Sequence, residues 1–434
     1  RFQDYLADAS TLSEVTMKQH TLSLWLGGVL FGLLTSAAQA EPWTLEHTLT
    51  EAQRYSAELS ASRNEAQALD AMAVSATQLP DPKLKFGIEN VPVQGSNDRR
   101  LTREGMTMQK VGIMQSYVSS EKRERKAQTL QAQARSVLAK SEAVRAALQR
   151  DTAQAWLDLA LAQQALNTAR TLVRETERQR GVQKASVGAG SAMPDSVLAL
   201  QMILSAMRDK ETLAQRDVQL AQSRLLELTG HAITEVRGPL PRYQRLPANE
   251  KTLQEGIVRH PEVEAARREA ETAKARSAQS AVAAIPDVDV EVYYAHRAEG
   301  YDDMAGVMFS VDLPLFQSKR QDKDYAADVS RSMQAADQLT LLKREHIAQV
   351  QTLVAQYQAA QTVWQRQRDE VLPLQRQRLA VLTAQYRSGQ SALPALLEAR
   401  RGVLDTELAV NQAEREMART WAAVNWLIPQ ELAQ

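Results

Sequence analysis

From Glu121 onward, apolar residues return every three or four positions: Leu130, Ala134, Val137, Val144, Leu148, Ala155, Leu159, Ala162, Leu166, Ala169 and Val173. That spacing draws one apolar stripe along a helix. The helix is predicted to run unbroken to about Val187, and at 1.5 Å per residue it is on the order of 100 Å long. Helices of ordinary globular domains average about 11–12 residues, so this segment reads as a coiled-coil rod. A second rod is predicted from Lys319 to about Ser388. Shorter helices are expected from about Thr44 to Gln78, stopped by Pro80, and from Pro194 to Thr229. Their combined length matches the long rod, so two short helices laid end to end would flank it.

Between the helices the period changes from three-to-four to two. Leu84, Phe86 and Ile88 alternate with Lys85, Gly87 and Glu89; Val288, Val290 and Val292 alternate with Asp289, Glu291 and Tyr293. Val307, Phe309, Val311 and Leu313 alternate with Met308, Ser310 and Asp312. Four strands follow, at about 83–93, 106–117, 287–294 and 305–313, each with one apolar and one polar face. The strand at 106–117 alternates less cleanly, with a phase change near Lys110-Val111 of the kind a bulge makes. The connections Gln94 to Gly105 and Ala295 to Asp303 are polar and charged.

The pattern is written twice. Thr48-Leu49 through Glu65-Ala66 parallels Thr252-Leu253 through Glu269-Ala270, and Leu79-Pro80-Asp81 parallels Ile285-Pro286-Asp287. Glu121-Lys122-Arg123 parallels Ser318-Lys319-Arg320, and Gly190 to Leu198 resembles Gly389 to Leu397. Four ordered anchors at a near-constant offset of about 200 residues point to a duplicated half. The expected domains are a first repeat at 41–229, a Pro/Gly-rich linker at 230–249 and a second repeat at 250–434.

Composition narrows the class. Aromatics make up 5% of the 434 residues, which favours helices cored by Ala and Leu. Lys plus Arg and Asp plus Glu both number 52, a balance without the basic footprint of a nucleic-acid binder. Zero cysteine excludes disulfides, thiolate metal sites and a lipid-modified N-terminal cysteine. Met17-Lys18-Gln19-His20, the apolar run Leu22 to Leu34 and Ala38-Gln39-Ala40 before Glu41 read as a signal peptide at 17–40, cleaved between Ala40 and Glu41. Residues 1–16 have no signal character and are expected to be an upstream artefact, with Met17 the true start. After Ala40 no apolar run approaches the roughly 20 residues of a spanning helix.

A secreted chain with four strands of about ten residues poses a closure problem, since strands of that length suit a tilted membrane span. Four cannot close a barrel, because even small outer-membrane barrels use about eight. An open edge is not viable in lipid, where every backbone polar group needs a partner. The fold expected is therefore mainly α with a small β part. Three chains would pool their strands in a twelve-stranded transmembrane β-barrel, continued by an α-helical barrel. A soluble four-stranded sheet capping a helical bundle is the competing architecture.

The two tip segments carry a family resemblance: Val187-Gly188-Ala189-Gly190-Ser191 with Pro194-Asp195-Ser196-Val197-Leu198, and Tyr386-Arg387-Ser388-Gly389 with Leu396-Leu397-Glu398-Ala399. His260-Pro261-Glu262-Val263 and Val371-Leu372-Pro373 add to it. Over Glu41 to about Gln434 the chain resembles the outer-membrane factor, or TolC-like, family. The resemblance implies a homotrimer in outer-membrane lipid, with most of its mass in the periplasm. Implied partners are a periplasmic adaptor (membrane fusion) protein and an inner-membrane pump of the RND type. A finer resemblance, to heavy-metal efflux members of the CusC/CzcC type, rests on Leu79-Pro80-Asp81-Pro82-Lys83-Leu84, Asn90-Val91-Pro92-Val93, Met106-Thr107-Met108 and Val111-Gly112-Ile113-Met114-Gln115. The chain departs from it at Tyr117-Val118, where an aromatic followed by proline is usual; the second half keeps Leu313-Pro314. The implied function is a passive export conduit for heavy-metal cations. Drug or other small-molecule efflux is the alternative, and a soluble periplasmic coiled-coil scaffold or adaptor is a second.

Candidate sites follow from the turns. Gly188, Gly190, Ser191, Asp195 and Ser196 in one tip, with Arg387, Gly389 and Ser391 in the other, are expected at the periplasmic mouth where partners dock. Asp195 and Arg387 are candidates for intersubunit charge contacts that keep the mouth shut. Pro373 removes a helical hydrogen bond and should kink the second rod, as a static bend or a hinge. Met106, Met108 and Met114 share strand parity; thioethers bind soft Cu(I), but packing is the favoured role. The six histidines show no metal spacing such as His-x-x-x-His. No catalytic constellation, metal site or cofactor is expected.

Overall fold

The computed structural model describes residues 43–189 and 195–431. The signal peptide, its Ala40–Glu41 junction, residues 1–16 and the tip residues Gly190 and Ser191 lie outside the described residues. The chain is mainly helical with one small sheet. In order it forms α1 (Leu45–Tyr55), α2 (Ala57–Ala76), β1 (Lys83–Glu89), β2 (Met108–Tyr117), α3 (Ser120–Gly188) and α4 (Asp195–Thr229). Then come α5 (Glu250–Gly256), α6 (Pro261–Ala281), β3 (Val288–Arg297), β4 (Met304–Val311), α7 (Gln321–Arg366), α8 (Leu372–Arg387) and α9 (Leu393–Asn425).

Local chemistry sets these boundaries. Thr44 caps α1 by accepting from the His47 amide at 3.2 Å. Ser56 interrupts the first helix: its extended backbone ends α1, and its hydroxyl accepts from the Leu59 amide to start α2. Ser119 caps α3 through Lys122, and Asn249 caps α5 through Thr252 at 2.8 Å. α3 is 69 residues long, on the order of 100 Å, with a buried stripe running from Ala127 to Gln183. α2 and α4 both pack on it, and α6 and α9 pack on it as well.

The second rod is broken where the missing amide of Pro373 requires it. Gln367–Val371 forms a π turn between α7 and α8. Proline cannot donate to the carbonyl one turn back and its ring displaces that carbonyl, so the ladder opens by one residue. Trp364 is buried beside this turn, with the Arg368 guanidinium 3.9 Å from its ring centroid.

The main core lies where α3, α4, α7 and α9 meet, around Trp156, Leu157, Leu159, Leu161, Leu225, Tyr357, Met417 and Trp421. The linker at 230–249 packs into this core as a strap. Ile233 and Tyr243 are buried in it; Tyr243 donates to Glu414 Oε1 at 2.7 Å, and its carbonyl accepts from Tyr357 at 2.8 Å. Gly230 has φ +73°, and a Cβ there would lie 2.5 Å from the Tyr55 ring. Gln149 and Gln430 exchange two hydrogen bonds at 2.8 and 2.9 Å, fastening the C-terminal segment to α3.

The sheet is antiparallel in the order β1-β2-β3-β4. All three registers run without a break, so β2 carries no bulge at Lys110-Val111. The apparent phase change has another cause. Val111 and Ile113 share a face with Phe86 and Leu84, whereas Met108, Lys110, Gly112 and Met114 lie on the opposite face. Met106 precedes the strand. On the polar face the Tyr293 ring lies across Gly306, where a Cβ would stand 2.5 Å from the ring, and the Lys110 ammonium sits 3.7 Å from the ring centroid. Gly306→Val should lower the thermal unfolding midpoint by the equivalent of about 1–3 kcal/mol of overpacking. Adding Tyr293→Ala should recover part of it, as differential scanning calorimetry of the single and double variants would reveal.

Candidate functional site

The two faces of the sheet differ sharply. On one, Leu84, Ile113, Val292 and Val307 form a row, followed by Phe86, Val111, Tyr294 and Ala305. Nothing among the described residues covers it: Phe86 is 83% exposed, Phe309 67% and Leu84 66%. Covering a side chain of this size is worth about 1.5–3 kcal/mol, so the face calls for an apolar environment. The other face is charged and internally paired. Lys85 meets Glu291 at 2.7 Å, and Lys110 reaches Glu89 at 3.4 Å and Glu291 at 3.8 Å. Met114 and Met308 flank Glu291 in register. The outer edges of β1 and β4 have no neighbouring strand among the described residues.

At the far ends of the rods two helical hairpins lie side by side. α8 closes with Gly389 at φ +75°: the Gly389 amide donates to Tyr386 and the Gln390 amide to Gln385. This is a Schellman termination, which the glycine permits. Pro394 then lies in the first turn of α9. A second core of Val173, Leu200, Leu204, Met207, Leu393, Leu396, Leu397 and Leu404 joins the hairpins. Gln183, buried on α3, ties them further: its amide donates to Ser196 on α4 at 2.7 Å, and its carbonyl accepts from Tyr386 on α8 at 3.2 Å. Gly188, Asp195, Arg387 and Gly389 are exposed at these ends, and Ser196 and Ser391 are half-buried. Among the described residues of one chain Asp195 and Arg387 form no ion pair with each other. Sequence reasoning missed Gln183, which lies beyond the apolar stripe read as far as Val173.

Between sheet and tips a charge network crosses three helices. Arg415 on α9 bonds Asp217 on α4 at 2.8 Å and stands 3.6 Å from Asp158 on α3, which Arg419 holds at 2.7 Å. Partial burial would raise the Asp217 carboxyl, but hydrogen bonds and charge from Arg216 and Arg415 outweigh it and hold the group below the ordinary carboxylate range. One turn of α6 brings a further cluster together. His260 caps α6 by accepting from the Glu262 amide at 3.2 Å, and its ring lies 4.0 Å from that of His346 on α7. His346 Nε2 is 2.9 Å from a Glu262 carboxylate oxygen, and its Nδ1 is 2.9 Å from Gln349 Oε1. Burial, and secondarily His346, push the His260 imidazole down to about 4.

No helix among the described residues is long and apolar enough to cross a membrane. The fold is similar to that of solved outer-membrane channels. It matches crystal structures of CusC, described in terms of transmembrane channel formation, with a TM-score of 0.74 at 14% identity over 91% of this chain and 96% of that one. It also matches the outer-membrane protein VceC of Vibrio cholerae, with a TM-score of 0.70 at 17% identity over 88% and 95% of the two chains. The open state of the Neisseria gonorrhoeae outer-membrane channel MtrE gives 0.68 at 14% identity over 90% of each chain. No family model and no curated protein sequence matches the chain. At these identities the likeness defines the fold.

Replacing Arg415 with Ala leaves Asp158 and Asp217 facing each other across a largely buried gap. The expected loss is about 3 kcal/mol at neutral pH. Because the folded Asp217 carboxyl is held low, its stabilising contribution exists above the ordinary carboxylate pKa and disappears as pH falls through the depressed value. The stability gap between wild type and Arg415→Ala should therefore be widest near neutrality and narrow below about pH 4, measured by denaturant titration across pH.

Proposed function

We propose that three copies of this chain form an outer-membrane export conduit, with twelve pooled strands in the membrane and the helices continuing the tube into the periplasm. The observation that carries this reading is the sheet: four strands, two unpaired edges and one bare apolar face. In lipid the edges need partners and the apolar face needs none. The paired polar face, with Lys85, Lys110, Glu89 and Glu291, then lines the pore, whose width and charge select what passes. The conduit performs no chemical step and uses no cofactor; transport energy comes from an inner-membrane pump, coupled through a periplasmic adaptor docked at the hairpin tips. The signal peptide at 17–40, cleaved before Glu41, accounts for delivery. Duplication of one half-chain accounts for the recurrence of helix, two strands, rod and helix around the linker.

Heavy-metal cations are the cargo we favour, on the motif resemblance around Leu79 to Gln115 and the fold likeness to CusC. Efflux of drugs or other small molecules is the second reading, since the fold is shared with VceC and MtrE as well as with CusC. The soluble adaptor reading has no use for the exposed Phe86, Phe309 and Leu84. Gating belongs to the tips: Gln183 and Tyr386 clasp the hairpins within a chain, while Asp195 and Arg387 reach between chains. The π turn before Pro373 bends the second rod statically or serves it as a hinge.

Outer-membrane fractionation should give a detergent-extracted trimer with heat-sensitive gel mobility, and a water-soluble monomer would sink the conduit reading. In planar bilayers Tyr386→Phe, which deletes the bond to Gln183, should raise single-channel conductance severalfold. Asp195→Ala should do the same if intersubunit charge holds the mouth shut; unchanged conductance removes that role.

A further inference from the structure

We propose that His260, Glu262 and His346 form a binding site for a divalent transition metal of the zinc class, set in the helical wall away from both sheet and tips. One nitrogen from each ring and one carboxylate oxygen lie within 4.8 Å of one another. Two imidazoles and a carboxylate are an ordinary donor set for Zn²⁺, and for Co²⁺ or Ni²⁺ as its substitutes. Ligand atoms around a tetrahedral zinc stand about 3.3 Å apart, given bonds of roughly 2.0–2.1 Å. The His346–Glu262 separation of 2.9 Å is already close to that.

The surroundings fit the same role. Gln349 Oε1 lies 2.9 Å from His346 Nδ1 and can accept from it, which leaves Nε2, 2.9 Å from Glu262, as the nitrogen a metal would take. A hydrogen-bonded second nitrogen is what orients a metal-bound histidine. His260 and His346 are both buried, 7% and 4% exposed, so their positions are held by packing. They open on a cavity of about 240 Å³ lined also by Arg150, Gln154 and Trp426, with room for water at a fourth position. Arg150 is neutralised by Asp151 at 2.8 Å. The cost falls on the helix cap: a metal bound at Nδ1 takes the lone pair that His260 lends the Glu262 amide at 3.2 Å. In exchange the metal clamps the start of α6 to the middle of α7, beside Trp426 at the end of α9.

Neither composition nor spacing pointed here, since His260 and His346 lie on separate helices. The site is independent of cargo and of trimer formation, so its failure leaves the conduit reading untouched. The purified full-length protein, stripped with EDTA, is titrated with Co²⁺ and then Zn²⁺. The expected result is one Co²⁺ per chain with the intense visible absorption of tetrahedral coordination, displaced by Zn²⁺, and a zinc-dependent rise in melting temperature. His346→Ala and His260→Asn should each abolish both signals. Asparagine keeps the helix cap and so guards against misfolding, which far-ultraviolet circular dichroism checks. His231→Ala, at an exposed histidine elsewhere, should change nothing. Absence of the tetrahedral band in wild type overturns the site, as does its persistence in either His260→Asn or His346→Ala.

Discussion

Backbone hydrogen bonding at the two outer edges of the sheet governs how everything else in this protein can be arranged. β1 and β4 each present a row of amides and carbonyls to no strand among the described residues. In water such edges invite uncontrolled pairing; in lipid they are untenable. Closure by further copies, as proposed above, would resolve both. It also explains why the apolar face is left bare while the charged face is satisfied internally through Lys85, Lys110 and Glu291. A sheet meant to pack on its own helices would be built the other way round.

The helical part answers a different demand. α3 is too long to belong to a compact domain, and its partners are chosen accordingly: α2 and α4 each accompany part of it, and α6 and α9 pack on it as well. Small side chains along the buried stripe let the backbones approach, while the wide aromatic residues are gathered where α3, α4, α7, α9 and the strap at 230–249 meet. The Asp158–Arg415–Asp217 network and the Gln149–Gln430 clasp sit near that girdle and cross-link the helices there. The tips are joined by leucines and by the polar bridge through Gln183.

Much of this was legible residue by residue. The three-and-four spacing from Leu130 to Val173 marked the first rod, and period-two alternation marked β1, β3 and β4. Gly389 and Pro394 announced the second hairpin turn, because a left-handed backbone and a first-turn proline have few other uses. Pro373 announced a break in the rod, though the π turn by which the helix absorbs it was not visible. β2 misled because methionine counts as apolar: Met108 and Met114 face the polar side, and the phase change they suggested was a matter of side-chain class, with no change in the backbone.

The sequence by itself determined the local grammar of the chain: which segments are rods, which are strands, where each stops, and that four strands are too few to close. Those are properties of neighbouring residues, encoded in periodicity and in the dihedral limits of glycine and proline. Tertiary structure alone decided which distant residues meet. It set His260 beside His346 and Glu262, placed Gln183 between Ser196 and Tyr386, laid the Tyr293 ring over Gly306 and turned a presumed linker into a packed strap. Such meetings depend on how helices tens of ångströms long are rotated and offset against one another, and no short-range pattern records that rotation.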